Sequence, residues 1–200
     1  RDAVLFCIDC HSSAFAVPPG SPEGTPPPFA AFVRHAVRFY QDKIVTSDRD
    51  LLGLVLFGTD QQCNPHGFPH VYAFHELDLN SAARVQELEI LSTAANPGAA
   101  IAAEFRSKIG HADVKVEPDG TLSTRPRAAL SEVLWAVLHM FNNLGPKRVA
   151  FKRAFLFTCD EDPTAGNPVE RAKCLARARD LREHGVHLDV FGHGMDFAPS

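Results

Sequence analysis

The spacing of apolar residues changes character several times along the chain. Ala3 to Asp9 is a continuous apolar run, as expected of a strand covered on both faces. Ala16 to Pro28, AVPPGSPEGTPPP, is dense in proline and glycine and predicts an exposed loop. From Phe29 the period becomes helical. Phe29, Phe32, Val33, Ala36, Val37, Tyr40 and Ile44 share one face, with Thr25 as the expected N-cap and prolines tolerated in the first turn. Leu51 to Phe57 predicts a second buried strand, and Val71 to Phe74 a third. About a dozen residues separate them, too few for a helical crossover, so the third strand is expected antiparallel at a sheet edge.

Two modest helices are expected near Ser81 to Leu91 and Ala99 to Ile109. A small hairpin is expected over the Pro-Asp-Gly turn of VKVEPDGTLS, Val114 to Ser123. Leu130, Val133, Leu134, Val137, Leu138, Phe141 and Leu144 form the clearest apolar stripe, stopped by Gly145 and Pro146. Phe151 to Thr158 predicts a strand. Val169 to His184 predicts a charged helix ended by Gly185, and Val186 to Phe191 a last strand. On the charged helix the expected inward set is Ala172, Leu175, Ala178 or Arg179, and Leu181. Arg177, Asp180, Glu183 and His184 are expected outside. Alternating strands and helices predict one three-layer α/β sandwich over residues 1–200, its sheet mostly parallel with one antiparallel edge strand.

Charge narrows the function. The chain holds 24 acids against 20 bases, without the basic surplus of a domain that grips nucleic acid by itself. Any DNA role is therefore local or supplied elsewhere. No apolar run is long enough to span a bilayer. A strand beginning within two residues of Arg1 suggests a fragment of something longer. The odd set Cys7, Cys10, Cys63, Cys159 and Cys174 suggests free thiols in a reducing compartment.

Candidate chemistry starts at the tip of the first strand. Asp9-x-His11-x-Ser13 lies where parallel sheets place ligands, and an Asp followed by hydroxyls at this spacing can hold magnesium. Imidazole at position 11 departs from that oxygen set. Thr59, Asp60, Asp160 and Asp162 are possible further oxygens. In the simpler alternative, Asp9 bonds backbone N–H groups at the loop entry. Cys7 and Cys10, three apart on a strand, face opposite sides and cannot share an ion. Cys63, His66, His70 and His75 have zinc-like spacing without a second cysteine pair. Lys147, Arg148, Lys152 and Arg153 form a basic group that fits either a phosphate or a solvated rim. Phosphate-loop, dinucleotide, nucleophile-elbow and HExxH motifs are missing from the sequence. Gly192-His193-Gly194 is a glycine-loop fragment alone, and Ser13 has no triad spacing.

The architecture with Asp9-x-His11-x-Ser13 resembles a von Willebrand factor A domain with a degenerate metal motif. SDRDLLGLVLFGT (47–59), HELDLNSAARVQELE (75–89), ALSEVLWAVLHMF (129–141), FLFTCDEDPTAGNP (155–168) and KCLARARDLREHGVHLDV (173–190) narrow this. Together they are similar to the amino-terminal domain of the smaller subunit of the Ku heterodimer. The Pro-rich loop and the insertion at 114–123 look long for that family. The resemblance implies a nuclear protein whose A-type domain has lost its ion and needs no cofactor. It implies pairing with a larger Ku subunit, binding of DNA double-strand ends by the full-length complex, and end-joining or telomeric proteins as further partners. On that reading the domain docks proteins through Arg177, Asp180, Glu183 and His184. A metal-dependent binding module at Asp9 and an α/β enzyme using Asp9 and Asp160 are the alternatives.

Overall fold

The computed structural model describes residues 1–47, 49–144, 149–164 and 166–192. Its strands are β1 (Asp2–Asp9), β2 (Leu51–Phe57), β3 (Val71–Leu79), β4 (Val114–Val116), β5 (Leu122–Thr124), β6 (Phe151–Thr158) and β7 (Val186–Gly192). Its helices are α1 (Pro28–Thr46), α2 (Ala82–Leu91), α3 (Ala100–Lys108), α4 (Leu130–Asn142) and α5 (Pro168–Glu183), with a short 3-10 turn at Ser12–Phe15. Five strands form the main sheet in the order β3-β2-β1-β6-β7. The β1–β2, β1–β6 and β6–β7 pairs are parallel, and β3 runs antiparallel to β2 at the edge. This is the expected three-layer sandwich.

Side-chain alternation along β1 divides the core. Val4, Phe6 and Ile8 point to the layer of α1, α2 and α3, where Phe29, Phe32, Tyr40, Leu88 and Phe105 meet them. Ala3, Leu5 and Cys7 point to α4 and α5, meeting Val133, Val137, Phe141 and Leu181. Each buried Phe or Leu contributes about 2 kcal/mol by leaving water. All five cysteines are free. Cys7 lies on one face and Cys10 on the other, and burial pushes the Cys7 thiol up to about 12.

Several expectations needed correction. The third strand extends to Leu79 rather than Phe74. Its outer half, HELDL, buries His75 and Leu77 and exposes Glu76 and Asp78. The β2–β3 register shifts between Leu52 and Leu54 and again between Leu54 and Val55. At this irregularity Arg84 of α2 donates from Nη2 to the carbonyls of Leu52 (2.8 Å) and Glu76 (2.7 Å). Its Nη1 reaches those of Asp78 and Leu79, both at 3.0 Å. A side chain thus satisfies carbonyls at the strand irregularity. Thr25 does not cap α1. Its hydroxyl donates to the Pro22 carbonyl, and Pro27 occupies the N-cap position without a side-chain bond. On α5 the buried residues are Cys174 and Leu181. Leu175 is 53% exposed and Ala172 is exposed. The 114–123 insertion forms the expected hairpin. The expected helix stop at Gly145 and Pro146 lies outside the described residues.

Candidate functional site

The carboxyl ends of β1 and β6 bring Asp9, His11, Ser13, Thr158 and Asp160 together. Asp9 is fully buried. Its Oδ1 accepts from the His11 amide (2.9 Å) and lies 2.7 Å from His11 Nδ1, while Oδ2 accepts from the Thr158 hydroxyl at 2.7 Å. The backbone N–H of Ala128 donates to His11 Nε2 at 3.1 Å. That nitrogen is therefore an acceptor, and the ring's proton sits on Nδ1, donated to Asp9. Burial works to raise the Asp9 pKa, but the hydrogen bonds of His11 and Thr158 outweigh it and hold the carboxyl below its ordinary value.

A cation does stand at this site, and it belongs to the chain. The Arg127 guanidinium, from the loop before α4, places Nε 3.1 Å from Asp160 Oδ2 and Nη2 3.6 Å from Asp9 Oδ2. Its Nη1 donates to Ser13 Oγ at 3.2 Å. The room left among Asp9, His11, Arg127, Thr158 and Asp160 is about 10 Å³, enough for one water at most. A hydrated divalent ion does not fit without displacing the guanidinium. Among the described residues no three His, Cys, Asp or Glu side chains gather as a metal-binding group.

Gly58 makes the imidazole position possible. It has φ of +72°, and a Cβ built on it would lie 2.5 Å from His11 Cε1. An alanine there would be strained by its backbone and would strike the ring. Around the same edge Ser12 bonds Asp113 through both its amide and its hydroxyl. Arg125 pairs with Asp60 and donates to the Val114 carbonyl. The inserted hairpin is thereby fastened to the mouth of the site.

The other expected oxygens are turned elsewhere. Thr59 donates to the Gln61 carbonyl, and Asp162 accepts from Thr164 and Gly166 in its own loop. Cys63, His66, His70 and His75 do not converge. His70 bonds the Thr59 carbonyl, His66 accepts from Asn143, and buried His75 reaches Glu87 at 2.8 Å. Lys152 bonds the carbonyl of His184, and Arg153 is exposed. Lys147, Arg148 and residues 193–194 of the glycine fragment lie outside the described residues. Arg127 was missed by the sequence reading, because a single arginine in an aperiodic loop carries no pattern.

The outer helix separates its four expected docking residues. Arg177 is half-buried, lies over the Trp135 ring at 5.1 Å, and pairs with Asp180 at 2.7 Å. Glu183 and His184 are exposed, with His184 closing the helix through the Asp180 carbonyl. Contact with Trp135 of α4 thus engages Arg177, and Arg177 in turn engages Asp180 within α5.

Residues 3–193 match the family model for the Ku70/Ku80 N-terminal alpha/beta domain. The chain is 31% identical over 190 residues to X-ray repair cross-complementing protein 6 of Mus musculus, covering 95% of this chain and 28% of that protein. It is 28% identical over 203 residues to ATP-dependent DNA helicase II subunit 1 of Aspergillus sojae, covering 96% and 28%. ATP-dependent DNA helicase ku70 of Dictyostelium discoideum is 24% identical over 200 residues, covering 96% and 20%. The chain therefore spans less than a third of the length of these relatives.

Proposed function

Because the chain belongs to the Ku70/Ku80 N-terminal alpha/beta domain family, we propose that it is a noncatalytic protein-docking domain of a Ku subunit. With the larger subunit, the full-length protein binds DNA double-strand ends in the nucleus and supports end joining. Telomeric proteins are a second class of partner on the same reading. The carrying observation is the filled site at the sheet's carboxyl edge. Asp9 is bonded by His11 and Thr158, and Arg127 lies across it. What is left for recognition is outer surface, above all α5. The helicase names of the relatives imply nucleotide chemistry, but this sequence carries no phosphate-loop motif to support it.

The test reverses Asp180 and Glu183 to lysine in the full-length protein assembled with its larger subunit. The Asp180–Arg177 pair is about one-third exposed on each side, and such pairs contribute about 1 kcal/mol or less, so the fold should survive. DNA-end binding by mobility shift should be unchanged while end joining falls. Loss of end binding with the fold intact, or joining left unaffected, refutes docking through these residues. Calorimetric heat with magnesium or manganese that vanishes in a folded Asp9→Asn variant would overturn the filled-site reading.

A further inference from the structure

The open side of α5 carries a stripe that the four expected docking residues do not include. Arg171, Leu175, Arg179 and Arg182 follow one another at intervals of four, four and three, so they line one flank of the helix. Cys174 and Leu181, about a quarter turn round the helix from the stripe, face the core, and Arg177 turns toward Trp135 on α4. All three stripe arginines are exposed, and Leu175 is 53% exposed. None of the three arginine side chains makes an ion pair among the described residues, although Arg171 acts on the charge of Asp162. Glu183, one turn beyond Arg179, is the exposed acid beside them on the helix, and exposed Asp162 lies near Arg171 from the preceding loop. In a chain of net charge −4, this concentrates positive charge around one apolar side chain over about 16 Å of helix.

We infer that this stripe docks an acidic segment of a partner protein, whose carboxylates meet the three arginines while an apolar side chain covers Leu175. The inference rests on the docking reading and adds the partner's chemistry to it. Arginine suits carboxylate because its planar fork donates two parallel hydrogen bonds. A nucleic-acid backbone is also anionic, but Leu175 at the centre of the stripe, with Ala172 and Ala176 exposed beside it, favours a protein ligand over phosphates.

The full-length protein with its larger subunit is titrated, by fluorescence anisotropy, with a short synthetic peptide of Asp and Glu around a central Phe. The same peptide with Lys in place of the acids and a covalently closed circular duplex, which has no ends, serve as the other probes. Binding of the acidic peptide alone is expected. It should weaken about tenfold in Arg179→Glu and in Leu175→Asp, and weaken as salt shortens the Debye length. Failure of the acidic peptide to bind, or binding that Arg179→Glu leaves unchanged, overturns the inference. So does transfer of the stripe's effect to the duplex, which would make it a nucleic-acid surface. End joining separates the two readings. A triple reversal of Arg171, Arg179 and Arg182 to Glu that leaves joining intact sinks the stripe. The docking reading then stands or falls on the Asp180 and Glu183 variant.

Discussion

Replacing Asp9 by Ala distinguishes a structural carboxylate from an unfilled cation ligand by the sign of its effect. In an unfilled ion site, crowded carboxylates repel one another, and removing one stabilises the free protein. Here Asp9 is the acceptor for the His11 amide, the His11 ring and the Thr158 hydroxyl. The hydroxyl can rotate to another acceptor, but the amide and the ring are fixed by Ala128 and Gly58. Two buried donors without acceptors cost about 1–3 kcal/mol each, so Asp9→Ala should lose about 2–6 kcal/mol. Asp9→Asn keeps an oxygen for His11 and loses the charge beside Arg127, at about 1–2 kcal/mol. A domain has only about 5–15 kcal/mol in total, so Asp9→Ala is expected to stand near the edge of folding. Urea denaturation at neutral pH measures both, read from the midpoint at unchanged slope. Asp9→Ala as stable as the parent, or more so, refutes the assignment. So does a magnesium-dependent rise of the parent's midpoint that needs Asp9.

Arg84→Ala should cost about 2 kcal/mol in the same measurement, because the buried Leu52 carbonyl loses its donor while water reaches the more exposed ones. An effect under about 0.5 kcal/mol would mean that water replaces the guanidinium throughout. His75 predicts a pH dependence. Burial lowers its pKa below the ordinary histidine value, Arg84 adds to this, and the bond to Glu87 opposes it. Among the described residues its buried Nδ1 has no partner, so a proton there finds no acceptor. The unfolded chain takes up that proton first. Stability is therefore full above about pH 6.5 and declines as pH falls below it toward the folded value. His75→Gln should flatten that decline between about pH 7 and 5.5 in urea midpoints, and an equal slope in both proteins would exclude His75 as its source.

The parts of the fold read correctly from sequence are those written in apolar residues. The runs Ala3–Asp9 and Leu51–Phe57 specify strands buried on both faces, and the stripe from Leu130 specifies α4. The outer half of β3 was hidden because its sequence is acidic and its alternation rests on His75 and Leu77. The orientation of α5 was misread because its apolar residues do not form one face. A small Cys174 goes inside, a large Leu175 stays out, and Arg177 is drawn sideways by an indole. At the carboxyl edge the sequence showed Asp9, His11 and Ser13, and the loop-entry role for Asp9 is seen in its bond to the His11 amide. Arg127 reaches them from more than a hundred positions away, a distance at which no local spacing gives a signal.

The imidazole and the guanidinium together act as a ratchet. Placing serine at position 11 would leave Arg127 across Asp9 and Asp160 and strip the Ala128 amide of its acceptor. Removing Arg127 alone would leave His11 holding one oxygen of Asp9 and Thr158 the other. Either single step therefore sacrifices stability without creating a vacancy for an ion, so ion-dependent recognition at this edge would require both changes at once.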